Sequence, residues 1–82
     1  MSPKIPRDVS AKKLIKVLSK YGYDVTRQAG SHIRMSVVTD NGVESITVPN
    51  HDPIKLGTLM SIINDAATQL NIDKEDLIDR LR

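Results

Sequence analysis

The segment from His32 to Thr39 limits the possible folds of this chain more than any other part of it. Polar and apolar side chains alternate along it, which is the pattern of a β-strand with one buried face. In a regular strand the two sets point to opposite faces, one set being Ile33, Met35 and Val37 and the other His32, Arg34 and Ser36. We therefore expect His32 on the face that the rest of the protein leaves open, although a slip of one residue in register would reverse the faces.

Two more strands are predicted beside this one. Residues 40–42 are Asp-Asn-Gly, and Asn-Gly accepts the positive φ angles of a type I′ turn, so residues 43–48 should return antiparallel and end before Pro49. Residues 23–28 also alternate and include β-branched side chains, which predicts a first strand followed by a turn at residues 29–31.

Helices are predicted before and after the strands. Ser10 is a suitable N-cap and Gly22 a suitable left-handed stop, so a first helix should span residues 11–21. From Leu56 onward apolar residues recur at helical spacing, and Asn71 can end this second helix.

A short third helix is predicted within residues 72–82, because Asp73 is a suitable N-cap and Ile72 and Leu77 are placed for a hydrophobic staple. The 82 residues then form one domain, with residues 1–9 as an N-terminal arm and residues 72–82 as an appended helix. The expected fold class is α+β, in the order α-β-β-β-α plus the extra helix, with a three-stranded antiparallel sheet and the helices on one of its faces.

Composition narrows the function classes. The chain has no cysteine, which excludes a disulfide framework, a thiolate nucleophile and a sulfur-ligated zinc site. Its net charge is +2, with basic residues concentrated in the N-terminal half; this fits a polyanionic partner and equally a solvated helix face. No apolar run is long enough for a signal peptide or a membrane span, so we expect a cytoplasmic protein without membrane contact.

The tripeptide Gly30-Ser31-His32 is the best candidate for chemistry. Glycine lets a ligand approach the backbone closely, and histidine is the side chain whose ordinary pKa lies near neutrality. From the pattern alone, a surface histidine with no role is the favoured interpretation of His32. Arg34 has a similar alternative, as a charge on a solvated strand.

Three motifs resemble those of HicA-type toxins, in the same order along the chain. Residues 27–32 are Arg-Gln-Ala-Gly-Ser-His, where the family has Arg-Gln-x-Gly-Ser-His. Residues 46–51, Ile-Thr-Val-Pro-Asn-His, resemble its Thr-Val-Pro-x-His, and residues 56–63 are similar to its Pro-Gly-Thr-Leu-Arg-x-Ile-Leu. Here Leu56 replaces the proline and Met60 the arginine, and the loop at residues 52–55 is less basic than usual. The last two changes remove positive charge near the surface where the resemblance to this family implies that RNA binds.

The resemblance implies a fold like that of a double-stranded-RNA-binding domain and the activity of an mRNA interferase that a HicB-type antitoxin neutralises. It also implies that His32 is catalytic. His51, in the Val-Pro-x-His loop, is the second candidate, with a structural role in the loop as its alternative. The expected partners are mRNA and the antitoxin, and the chain is expected to be a monomer alone or part of a hetero-oligomer with the antitoxin.

A metal-independent endoribonuclease is the first functional hypothesis, because RNA carries its own nucleophile in the 2′-hydroxyl and a histidine can move the proton. No ligand spacing suggests a metal, and no cofactor is expected. The residues expected to contact RNA phosphates are Arg27, Gly30, Ser31, Arg34, Lys55 and Gly57. Two alternatives stay open: a non-catalytic RNA-binding module, and a degenerate toxin that acts only through its partner.

Overall fold

The computed structural model describes residues 6–82. Its elements are α1 (Ala11–Lys20), β1 (Asp24–Ala29), β2 (His32–Thr39), β3 (Gly42–Pro49), α2 (Leu56–Leu70) and α3 (Lys74–Leu81). The strands form one antiparallel sheet in the order β1-β2-β3. This arrangement confirms the predicted α+β class and is compatible with a fold like that of a double-stranded-RNA-binding domain.

The alternation in β2 has the predicted consequence. Ile33, Met35 and Val37 are buried, at 6%, 0% and 6% exposure, and they belong to the same core cluster as the inward side chains of the three helices. His32 and Arg34 are exposed on the other face. We call this other face the open face of the sheet.

The helix ends follow the local sequence signals. The Ser10 side chain accepts a hydrogen bond from the Lys13 amide at 3.1 Å, which caps α1. Gly22 has φ 102°, as expected of the left-handed stop, although α1 ends one residue earlier than predicted because Tyr21 is already its C-cap. Asn71 ends α2 with φ 55°.

The turn between β2 and β3 differs from the expected type I′. That type requires positive φ at both central residues, which here are Asp40 and Asn41, because Thr39 pairs with Gly42. Neither residue has positive φ, and only Gly42, with φ 101°, does so. The positive φ therefore falls on Gly42, which follows the two turn residues and is the first residue of β3.

The third helix closes one side of the core. Leu77, Ile78 and Leu81 are buried, and α3 packs against both α1 and α2. Arg80 donates a hydrogen bond from Nε to the Tyr21 hydroxyl at 2.8 Å and lies over the same ring. Asp73 occupies the N-cap position without making a side-chain capping bond.

Tyr23 is connected by hydrogen bonds to α2 and, through it, to β3. The alternation of residues 23–28 predicts Tyr23 as the first residue of a strand. In the structure it precedes β1 and is fully buried. Its hydroxyl donates to Gln69 Oε1 at 2.6 Å, and Gln69 Nε2 donates to the Ser45 carbonyl on β3 at 3.0 Å. Burial, with a smaller contribution from nearby Glu44 and Asp65, raises the pKa of Tyr23 to about 12.

Candidate functional site

The two histidines are located on neighbouring chain segments at one end of the sheet. His32 begins β2 and pairs across the sheet with Ala29 on one side and with Pro49 on the other. Gly30 and Ser31 form the turn before it, and positive φ occurs there only at Gly30, with 58°, which is the pattern of a type II′ turn. A Cβ at Gly30 would meet no atom within 4 Å, so backbone conformation rather than space favours glycine at this position.

The loop that carries His51 is fixed to this end by backbone hydrogen bonds. The Asn50 amide donates to the Ser31 carbonyl at 2.7 Å, so the residue before one histidine is bonded to the residue before the other. The Ala11 amide donates to the His51 carbonyl at 3.0 Å, and the Ile54 amide to the Val9 carbonyl at 2.8 Å. Both imidazoles are exposed. A rigid backbone therefore presents two solvated histidines.

A β-bulge in β1 brings two arginines together on the open face. Val25 pairs with Met35, but the next pair is Arg27 with Arg34, so the register shifts by one residue and Thr26 is the extra one. In a regular strand Arg27 would oppose Ile33, whose side chain is buried. The bulge instead places Arg27 directly across from Arg34, and neither forms an ion pair within residues 6–82. Two adjacent unpaired cations are suited to an anion.

The open face changes character along β2. Beyond the arginines, hydroxyl groups form a row across the three strands: Thr26 Oγ1 lies 3.4 Å from Ser36 Oγ, which lies 2.8 Å from Ser45 Oγ. At the far end Val38 and Val43 are paired and 80% and 70% exposed. Of the open-face residues named here, His32 and the two arginines thus lie towards one end of β2 and the exposed valines at the other.

Lys55 and Gly57 lie where α2 begins. Lys55 is the N-cap residue of α2 and lines a hollow of about 280 Å³ with Arg7 and Asp8 of the N-terminal arm. Neither histidine lines this hollow. A Cβ at Gly57 would meet no atom within 4 Å, so internal packing does not require glycine there. Of the predicted site residues, those on β1, β2 and the turn between them lie around His32, and Lys55 lines this hollow.

The imidazoles have no orienting partner in the described part of the chain. No side-chain hydrogen bond to His32 or His51 occurs within residues 6–82. The same residues contain no group of three His, Asp or Glu side chains arranged to hold a metal ion. Any proton transfer at this end would rely on exposed imidazoles that the substrate itself orients.

Comparison with protein families decides the assignment. The profile of a family described as the HicA toxin of bacterial toxin–antitoxin matches residues 11–67, a span that holds α1, all three strands, both histidines and most of α2. The chain belongs to the HicA toxin family. Comparisons with curated proteins and with solved structures gave no match.

Membership of the HicA family makes the protein a toxin of a toxin–antitoxin system, which has an antitoxin partner. The matched span excludes α3, so the helix that closes the core beside α1 and α2 lies outside the family profile. None of the helices within residues 6–82 has the length and hydropathy to cross a membrane.

The sequence alone missed the arginine pair. Arg27 was a candidate because it belongs to the first family motif, and Arg34 because it shares a strand face with His32. Nothing in Val25, Thr26 or Arg27 signals a bulge, so their adjacency is visible only in the paired strands.

Proposed function

We propose that this HicA toxin is a metal-independent endoribonuclease that cleaves mRNA in the cytoplasm by histidine acid–base chemistry, and that a cognate HicB-type antitoxin inhibits it. The main supporting observation is the hydrogen bond between Asn50 and Ser31, which holds the His51 loop against the turn that precedes His32. Two exposed imidazoles on one rigid end provide one group to accept a proton and another to donate one.

The reaction needs few groups because RNA supplies the nucleophile. His32 accepts the proton of the 2′-hydroxyl, and the resulting oxygen attacks the adjacent phosphorus. The bond from phosphorus to the 5′-oxygen breaks, His51 donates a proton to that oxygen, and the products are a 2′,3′-cyclic phosphate and a 5′-hydroxyl. Each proton transfer typically contributes about 10²–10⁴-fold to the rate.

Charge that develops on the phosphate requires cationic or amide groups nearby. Arg27 and Arg34 are adjacent on the open face and can bind the non-bridging oxygens. The Gly30 and Ser31 amides add donors in the turn before His32. Lys55 and Gly57 lie at the start of α2, and we assign them to flanking phosphates.

The test compares His32→Ala and His51→Ala with Asn64→Ala, which replaces an exposed polar side chain outside the candidate site. Purified proteins are incubated with a bare transcript in EDTA, and cleavage is followed by mapping new RNA ends. We expect wild type and Asn64→Ala to cut equally, His32→Ala to lose at least about 10²-fold, and cyclic phosphate ends to appear. A 2′-deoxy nucleotide at the cut site should abolish cleavage. Equal activity of His32→Ala and wild type would remove His32 as the catalyst.

A non-catalytic RNA-binding module is the second candidate, and the unoriented imidazoles favour it. This alternative predicts salt-dependent binding of the transcript by wild type without any new RNA ends, whether or not a metal is present. A degenerate toxin would show neither cleavage nor binding, and would still co-purify with its antitoxin.

A further inference from the structure

Helix α1 presents an unbroken basic surface to solvent. Its ten residues include four exposed lysines and no acidic residue. Lys12, Lys16 and Lys20 are spaced four residues apart and so form a row along the helix, and we call these three the lysine row. None of them forms an ion pair within residues 6–82.

The lysine row points away from the core. The buried side of α1 consists of Ala11, Leu14, Val17 and Leu18, and at 3.6 residues per turn the row lies on the opposite side of the helix. Successive members are separated by about 6 Å along the axis, so the whole row spans about 12 Å. Like charges at this spacing disfavour a helix unless something neutralises them.

The row starts at the end of the molecule that holds the candidate site. The first residue of α1 donates its amide hydrogen to the His51 carbonyl at 3.0 Å, and Lys12 is the next residue. A chain that leaves the neighbourhood of His51 along α1 would therefore meet Lys12 first and Lys20 last.

We propose that the lysine row binds the phosphate backbone of an RNA strand that extends from the His32 end of the protein. This inference rests on the proposed function because it takes RNA as the ligand of that end. The composition of the row favours RNA over a protein partner. Protein interfaces are depleted of lysine and contain apolar anchors, whereas phosphate binding needs only repeated cations. No apolar side chain lies between the three lysines on this surface.

The test measures binding of 2′-O-methyl RNA, which lacks the nucleophile and is not cut. The variant Lys12→Gln/Lys16→Gln/Lys20→Gln preserves helix propensity and removes three charges. Two single variants serve as controls, and each removes one charge. Lys16→Gln changes the lysine row itself, and Lys74→Gln changes a lysine on α3. Each protein is titrated with a trinucleotide and with a dodecanucleotide over a range of salt, and its thermal unfolding is recorded.

We expect the triple variant to bind the trinucleotide as wild type does and to bind the dodecanucleotide more weakly. Three lost contacts to a single strand reduce the slope of log K against log salt by about 2. Raising salt from about 50 to about 200 mM should therefore weaken wild type about twentyfold more than the triple variant. Lys16→Gln should reduce the slope by about a third as much as the triple variant does, and Lys74→Gln should leave the slope unchanged.

An unchanged slope in a folded triple variant would overturn the proposal, as would an equal effect of Lys74→Gln. Retained RNA binding with loss of antitoxin binding would show that the row serves an acidic protein surface instead. The outcome is independent of cleavage. A wild type that binds through the row but never cuts RNA contradicts only the proposed function, whereas one that cuts RNA with an unchanged slope in the triple variant contradicts only this inference.

Discussion

Replacing Arg27 by Gln should stabilise the fold and weaken RNA binding at the same time. The bulge in β1 places Arg27 opposite Arg34, and neither guanidinium has an ion-pair partner within residues 6–82. Like charges on directly opposed residues of a sheet destabilise it by about 0.2–1 kcal/mol. Coulomb's law agrees, since two unit charges roughly 6 Å apart in water repel by about 0.7 kcal/mol.

The measurement is the free energy of unfolding in urea for wild type, Arg27→Gln and the charge-preserving control Arg27→Lys. At low salt Arg27→Gln should be more stable by about 0.2–1 kcal/mol. The difference should nearly vanish at about 1 M salt, where the Debye length is about 3 Å. Once Arg27 is Gln, a second change at Arg34 should add little stability, because the repulsion is already gone.

RNA binding supplies the second half of this prediction. Arg27→Gln should lower the salt slope for 2′-O-methyl RNA by about 0.7, the value for one phosphate contact to a single strand. An equal loss of stability in Arg27→Gln at low and high salt would contradict this prediction, since the arginine would then act through packing of its stem. A rise in stability with unchanged RNA binding would also contradict it, because the pair would then have no anion to hold.

Two further predictions concern the core. Burial keeps the Tyr23 phenol protonated in the folded state up to a pKa of about 12, whereas the unfolded chain loses this proton near pH 10. Below pH 10 both states are protonated, so ionisation of Tyr23 does not lower the free energy of unfolding there. The free energy of unfolding should therefore fall by on the order of 2–3 kcal/mol as pH rises from about 10 to about 12. Tyr23→Phe should lack this part of the alkaline loss in urea titrations at several pH values, and should be less stable by about 1 kcal/mol at neutral pH; an unchanged alkaline profile would contradict it. Met35→Ala removes a fully buried side chain and should lower the free energy of unfolding by about 2–5 kcal/mol, and a loss below about 1 kcal/mol would contradict the packing described.

The sequence predicts the elements of this fold well because their signals are local. Alternation in β2 determines which face is buried, and Ser10, Gly22 and Asn71 determine where helices begin and end. Each of these depends on the conformation of a few consecutive residues, which the residue types restrict directly.

The site is less predictable because it depends on pairing between strands. Thr26 carries no feature that marks it as the extra residue of a bulge. Because it is inserted, Arg27 pairs with Arg34 on β2 instead of with Ile33. The turn at Asp40 and Asn41 is a similar case, because Gly42 fits either kind of hairpin and the pairing of Thr39 selects one.

The backbone bonds of the His51 loop also bear on the order in which the protein folds. β2 and β3 are joined by two residues and can pair early, but the bonds from Ala11 to His51 and from Val9 to Ile54 join residues 40 and 45 positions apart. Contacts between such distant residues require closure of long loops, so we expect them among the last to form. The Asn50–Ser31 bond adjoins the His32–Pro49 pair and can form with the hairpin, so the His51 loop can be attached beside His32 before residues 9–11 bind to it. During synthesis, the two histidines could therefore become neighbours early, whereas the contacts of the His51 loop with the start of α1 would form only in the nearly finished domain.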